Sequence, residues 1–546
     1  MMLSSLLAAQ TVFVPVRHWV YDYLDRMETK RLLPVVLGGT KPMTRQEIGG
    51  YLKALKKKRH KLSKTENEQL DFLLFEFQDD IGKKAKRPKY KSRLKKITQQ
   101  NWIDPWLPDF VYPTGRHLLE IKHGPLQLNW DPVFYRRRLF ADDDTLASSE
   151  RVNTDTNGFL LWGTVGPWFG FYTDVRDTRE WGTRSYPAGN TTVERYGFVQ
   201  GNGRQIYHDE TIAYLLYQKK YARLQFGKDV NVWGPGRRGQ LFLSDWATSY
   251  DQFKIQLALP RVKYTYLLAW LKHDTPDYFK GDPTTKFFAA HRLEFSPHRN
   301  IDIGLQSGVI YRERFEPAYL NPVMFFRSAE HYLGDTDNAV MGADVEIKTI
   351  KNVKLYGELF LDDLTTGKLG TGFYGNKYAY TLGGFYAGMF GLKDLDLRVE
   401  YSRVRPFVYS HKDTVNSYAH FSTALGHWMG ANSELLSASL DYRLSRRWLL
   451  TASYERYRFG SNTPAQNVGR GLFRPRNVLV DGEYFDTLDG VLHSTQTISA
   501  RAGYEFVRNA FLTLEYRFCS SSIGVDANSR KAVSRSQVTA GFALNY

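Results

Sequence analysis

Over residues 495–518 apolar and polar side chains alternate on both sides of a short break. Ile498, Ala500, Ala502, Tyr504 and Phe506 share one face, and Ser499, Arg501, Gly503 and Glu505 the other. Beyond Val507-Arg508-Asn509, Ala510, Leu512, Leu514, Tyr516 and Phe518 oppose Thr513, Glu515 and Arg517. A period of two predicts strands, and the three-residue connection predicts an antiparallel hairpin. The apolar face suits either a buried core or lipid, with the charged face then lining a lumen.

Five further segments alternate in the same way. Val353, Leu355, Gly357, Leu359 and Leu361 oppose Lys354, Tyr356, Glu358 and Asp362, and Leu395, Leu397, Val399 and Tyr401 oppose Asp396, Arg398 and Glu400. Similar patterns run through 341–347, 448–455 and 538–546. Eighteen candidate strands start near 118, 158, 168, 211, 221, 253, 263, 287, 301, 340, 353, 381, 395, 435, 448, 495, 510 and 536. Short connections (260–261, 296–300, 348–352, 391–394, 445–447, 507–509) alternate with long ones (about 174–209, 230–252, 312–338, 362–378, 404–434, 458–494, 519–535). One end of the sheet is therefore turns and the other loops. This predicts an all-β transmembrane antiparallel barrel of about 18 strands over 116–546, with an N-terminal, mainly helical segment. Counting back from the last strand puts both barrel termini on the short-turn side, which places segment 11–115 in the periplasm or as a plug from that side.

Segment 11–115 carries the helical signals. Trp19, Tyr23, Met27 and Leu32 recur near one face, and Thr44–Glu47 and Ser63–Glu66 are capping-box patterns. Met1–Gln10 reads either as the remnant of a secretion signal or as an ordinary apolar N-terminus.

Composition narrows the classes. No apolar run is long enough for a membrane helix. The lone Cys519 excludes an intrachain disulfide. Net charge is +17, and residues 41–116 hold 19 Lys/Arg against 9 Asp/Glu, more than half the excess. The KKKRHK run (56–61) and the tract 83–96 suit anionic lipid, nucleic acid or a solvated helix face. A periplasmic placement removes nucleic acid and leaves outer-membrane lipid and envelope or export-machinery proteins as partners of 11–115.

No serine elbow, HExxH, paired-cysteine site or P-loop is present. His411, His420 and His427 share one loop without a familiar metal spacing, and Ser417 with His420 is a bare hydrolase alternative. No catalytic, metal or cofactor site is expected. The long loops are instead rich in aromatic, Arg, Asn and Gly residues. Aromatic faces stack on sugar C–H faces, and Arg, Asn and Asp bond hydroxyls and acidic groups. The candidate glycan contacts are Trp233, Arg237, Arg238, Asp245 and Trp246; Arg312, Arg314, Glu316, Tyr319 and Asn321; and Arg403, Arg405, Tyr409, His420, His427 and Asn432. Arg237 and Arg238, after a Gly-Pro-Gly bend, are expected either to meet glycan or to clamp the loop to lumen carboxylates such as Glu505 or Glu515. A saccharide or anion channel and an outer-membrane enzyme are the rivals.

Three pieces, WGPG-x-x-G-x-LFLSD (233–245), EPAYLNP (316–322) and RPFVYSH…YAH…LGHWMGAN (405–432), together with the N-terminal HWVYDYL…KPMTRQEIGGYL, resemble the Wzi-type capsule-assembly family of outer-membrane proteins. The resemblance implies an eighteen-stranded barrel that binds capsular or other exported polysaccharide without catalysis.

Overall fold

The computed structural model describes residues 11–82, 114–144, 149–186, 195, 199–201, 203–273, 284–312, 315–524 and 529–545. Eighteen antiparallel strands close into a barrel. In chain order they are β1 (Leu126–Asp143), β2 (Glu150–Val165), β3 (Phe169–Tyr186), β4 (Gly203–Lys219), β5 (Ala222–Asp229), β6 (Tyr250–Ala258), β7 (Val262–His273), β8 (Thr284–His298) and β9 (Ile301–Arg312). They continue as β10 (Asn338–Ile347), β11 (Val353–Asp363), β12 (Lys377–Ala387), β13 (Leu395–Val404), β14 (Ser433–Ser445), β15 (Trp448–Ser461), β16 (Val491–Val507), β17 (Ala510–Gly524) and β18 (Arg530–Leu544). Neighbours in sequence are neighbours in the wall, and β18 closes onto β1 with Leu544 opposite Phe134. Closure leaves no free edge.

The expected faces hold. Leu512, Leu514, Tyr516 and Phe518 are exposed on the outer wall, while Lys354, Glu358 and Asp362 are buried inside. Connections at one end span two to seven residues, and the long loops all lie at the other. Three expectations shift. The barrel begins at Leu126, because Leu119–His123 pairs only with the start of β1. Alternation is hidden in β1 and β2 because Arg136 and Arg138 point outward and pair with Asp155 across the strands. The long loop expected at 519–535 is mostly strand, since β17 runs to Gly524 and β18 starts at Arg530. Its Ser-rich residues are polar on both faces, which erases the period-two signal.

At the turn end lies a helical subdomain: α1 (Val20–Thr29), α2 (Arg45–Lys56), α3 (Lys64–Glu76) and α4 (Gln78–Ile81). Residues 11–16 and 36–44 are not helical. Both expected capping boxes are formed, Thr44 with Glu47 and Ser63 with Glu66. Tyr23, Met27 and Leu32 are buried against Leu52, Leu70 and Phe72. Buried ion pairs bind the helices to the barrel. Arg26 joins Glu66 to Asp396 at the start of β13 (2.9 Å to Asp396), Lys348 in the β10–β11 turn reaches Glu28 (2.8 Å), and Arg508 in the β16–β17 turn pairs with Glu76. Lys53, Lys56, Lys57, Arg59, Lys61 and Lys64 are exposed. The basic tract 83–96 and Met1–Gln10 lie outside the described residues.

Candidate functional site: a half-filled lumen with an aromatic shelf

The lumen is filled on one side. Residues 230–249 and 405–432 fold inward from the loop end and pack Trp233, Phe242, Tyr409 and Tyr418 against the inner faces of β7, β8, β11 and β13. The N-terminal segment meets them from below: Thr40 pairs with Trp233, and the Gly234 N–H donates to Gly39 O (2.8 Å). Arg292 holds this junction, pairing with Asp344 and donating to Thr40 Oγ1 (2.9 Å). Glu294 accepts from the Gly39 N–H (2.8 Å) and the Thr40 hydroxyl (2.6 Å).

The Trp233-Gly234-Pro235-Gly236 bend is built for two carboxylates. Gly234 has φ +122°, and a Cβ there would lie 2.5 Å from Glu358 Oε1, so only glycine fits. The next backbone amides converge on the wall. Those of Gly236 and Leu241 donate to Glu358, and those of Arg237 and Arg238 to Glu400 (2.8 and 2.9 Å). Successive N–H groups aimed at an anion form a nest, and here the anions are the protein's own. The side chains point elsewhere. Arg237 pairs with Asp22 of α1 (2.6 Å) across an interior cavity of about 410 Å³, and Arg238 pairs with Glu455 of β15 (2.6 Å). The bend therefore lies inside the barrel rather than at its surface, and the carboxylates that hold it are Glu358 and Glu400, not Glu505 or Glu515.

Several expected glycan contacts are occupied by packing. Trp233 is buried and stacked on Phe242. Tyr409 is buried, its hydroxyl donating to Leu241 O (2.9 Å). Asn432 is buried and donates to Gly460 O and Asp489 O (both 2.9 Å), pinning loop 462–490. His420 Nδ1 accepts from the Lys272 N–H (3.1 Å) and His427 Nδ1 from the Met429 N–H (3.3 Å). Burial pushes both imidazoles down to about 3, so they are neutral. His411 accepts from the Asp413 N–H instead, so the three histidines share no partner, and the Ser417 hydroxyl donates to Leu472 O rather than to a histidine. Arg403 lies outward, opposite Tyr380. Arg405 bonds Asn376 O, and Arg312 pairs with Asp413 (2.9 Å). Glu316, Tyr319 and Asn321 sit on the outside of the wall. Arg314 lies outside the described residues.

Trp246, Arg238 and Asp245 do come together, with residues that sequence reasoning passed over. Trp246 lies 6.4 Å from Trp428, which lies 5.2 Å from Tyr457, ring centre to ring centre. The Trp428 Nε1–H donates to Arg238 O (2.6 Å). Arg195 approaches the Trp246 face, and Arg17 pairs with Asp245 (3.3 Å). Along the inner face of β15 the series Glu455, Tyr457, Phe459 climbs toward the loop end, where Arg470 covers Phe459 (4.5 Å) and bonds the Tyr457 hydroxyl (2.8 Å). The strand phase already placed Tyr457 inward with Glu455; that signal was available. The approach of Arg17 was not.

This shelf overlooks the unfilled side of the lumen. There the inward residues are small and polar (Ser453, Ser499, Thr513, Gly541) or charged. Arg501 points inward yet is exposed, and Arg517, 48% exposed, pairs with Glu515. A second cavity of about 570 Å³ lies along the N-terminal segment, with Arg17, Arg176, Glu210, Asp245 and Arg501 among its lining.

A closed antiparallel wall with an apolar exterior, polar interior, short turns at one end and long loops at the other defines a transmembrane β-barrel of the bacterial outer-membrane type. The chain belongs to the capsule assembly protein Wzi family, whose model matches residues 206–532. Among solved structures it is similar to Wzi, an outer-membrane protein of Escherichia coli involved in group 1 capsule assembly and described as a carbohydrate-binding β-barrel, at 14% identity over 98% of this chain and 99% of that one, with a TM-score of 0.59. Weaker likenesses are to Acinetobacter baumannii OccAB1 (9% identity, 76% of this chain, 97% of that one, TM-score 0.44) and Pseudomonas aeruginosa OpdK (12%, 76% and 98%, 0.42). No curated protein sequence matches.

Proposed function

We propose that this barrel holds surface polysaccharide, non-catalytically, in the unfilled side of its lumen. The observation that carries the reading is the half-buried shelf Trp246–Trp428–Tyr457, flanked by Arg238, Glu455 and Arg470. Sugar rings stack on such faces while guanidinium groups bond carboxylates and hydroxyls. The carbohydrate binding described for Escherichia coli Wzi supports it. In this reading the loops face outward, the turns and helices 11–82 are periplasmic, and the exposed lysines of α2 and α3 are available to an acidic envelope or export partner. The glycan contacts move from Trp233, Tyr409 and Asn432, which are structural, to the shelf.

Trp246→Ala combined with Trp428→Ala should weaken binding of capsular polysaccharide fragments by at least about tenfold, since loss of stacking on an aromatic ring costs on the order of 1 kcal/mol each. Heat-modifiable mobility of the barrel should be unchanged. Unchanged binding in a folded variant would remove the shelf from the site. The inward Arg501 and Arg517 favour a second reading, an anion or saccharide channel. Porin-like single-channel conductance of the wild type would select it.

A further inference from the structure

The EPAYLNP motif does not enter the lumen. It belongs to loop 313–337, whose described part forms two short helices, Pro317–Leu320 and Phe326–Tyr332. Strand parity shows where they lie. In β7, Leu267, Ala269 and Leu271 join the lumen core, whereas Tyr266 and Leu268 pack with Tyr319 and Phe326. Successive strand residues point to opposite faces, so the two helices lie against the outer wall. The attachment is specific. The Tyr266 hydroxyl donates to Tyr319 O (2.9 Å), the Tyr319 hydroxyl donates to Asp337 (2.7 Å), and Phe326 stacks on His291 (4.6 Å). Glu316 caps the first helix through the Ala318 N–H (3.3 Å), and Asn321 accepts from the Val323 N–H (3.1 Å). Each polar residue of the motif is thus spent on shaping or docking the flap.

The other side of the flap is uncovered and carries large apolar side chains beside the exposed Asn321, Ser328 and His331. Phe315, Val323, Phe325 and Tyr332 are 59%, 83%, 56% and 92% exposed. Four exposed large apolar side chains within residues 315–332 are more than a water-facing loop ordinarily shows. Pro322 O, next to Val323, accepts from Tyr264, which is paired with Leu293 and through it with Leu305; both leucines are exposed on the outer faces of β8 and β9 in the apolar band of the wall. The flap surface continues that band.

We propose that residues 315–332 form a membrane-embedded flap: it replaces lipid against β7–β10 and presents Val323 and Phe325 to lipid acyl chains. The side chains of an ordinary barrel wall meet hydrocarbon directly. Here the aromatic outer residues Tyr264 and Tyr266 carry hydroxyls that need partners away from water. The flap supplies carbonyl acceptors to Tyr264 and Tyr266 and packs Tyr319 on Tyr311, while Val323 and Phe325 stay exposed on its outer face.

Nitroxide labels on single cysteines test this in the full chain, reconstituted into phosphatidylcholine–phosphatidylglycerol vesicles. Val323→Cys and Phe325→Cys are compared with Leu514→Cys on the bare wall and Leu479→Cys at an exposed loop tip, each in a Cys519→Ser background. Dissolved oxygen should relax the labels at 323 and 325 several-fold more than a water-soluble nickel chelate does, as at 514 and opposite to 479. Labels at 323 and 325 that behave like 479 would overturn the proposal. Labels screened from both reagents would do so too, because a second protein surface would then cover the flap. Tyr319→Ala should mobilise the label at 325 while the barrel remains heat-modifiable; an unchanged spectrum would mean that the flap is not docked through Tyr319.

Discussion

At the residue scale, the two carboxylates under the Gly-Pro-Gly bend matter more than the two arginines that follow it. Glu400 accepts from the amides of Arg237 and Arg238 and from the Tyr356 hydroxyl (2.8 Å), and it is 2% exposed. Removing it strands buried donors, each costing about 1–3 kcal/mol. The arginine side chains are half exposed to an internal cavity, and such pairs contribute about 1 kcal/mol or less. Glu400→Ala should therefore lower unfolding stability in detergent by on the order of 3 kcal/mol. Arg237→Ala with Arg238→Ala should shift it far less. Denaturant titration followed by tryptophan fluorescence ranks them, and the reverse ranking would mean that the side chains hold the bend. Adjacent arginines in a Gly-rich loop looked like surface ligands in the sequence because a loop's direction, into the lumen or out of it, leaves no mark on composition.

At the element scale, strand phase is the most transferable reading. Leu514 is 56% exposed on the outer wall while Thr513, opposite Gly541, faces the lumen. Leu514→Arg should cost about 2–4 kcal/mol if it lies near the bilayer midplane, and Thr513→Arg little. Equal effects on folding into lipid vesicles would reverse the assigned faces. The helix caps at Thr44 and Ser63 were also legible, because a capping box is a local pattern. Strand ends were not: beyond the hydrocarbon both faces turn polar, as in the Ser-rich ends of β17 and β18, and periodicity disappears while the ladder continues.

At the scale of the whole molecule, turn and loop ends sort cleanly. Tags within 364–376 or 462–490 should be reachable by antibody on intact cells, and tags at 446–447 or 508–509 only after the outer membrane is opened. The opposite labelling would invert the barrel. The helical subdomain should follow the turns, since Arg26, Lys348 and Arg508 tie it there through buried ion pairs, and breaking such a pair on one side costs about 3–5 kcal/mol.

Alternation, turn lengths and capping patterns determined the barrel, its strand number and the helical start, because each is written in residues a few positions apart and rests on backbone geometry. Which half of the lumen is filled, that Trp246, Trp428 and Tyr457 form one shelf, that Arg17 reaches Asp245, and that EPAYLNP lies on the outer wall were decided only by tertiary structure. These contacts join residues up to hundreds of positions apart. Aromatic, Arg and Asn residues serve packing, capping and ligand binding equally well, so their presence in a loop does not choose between the lumen, the lipid and the glycan. The closed wall chooses, by leaving each loop one surface on which its apolar side chains can be buried.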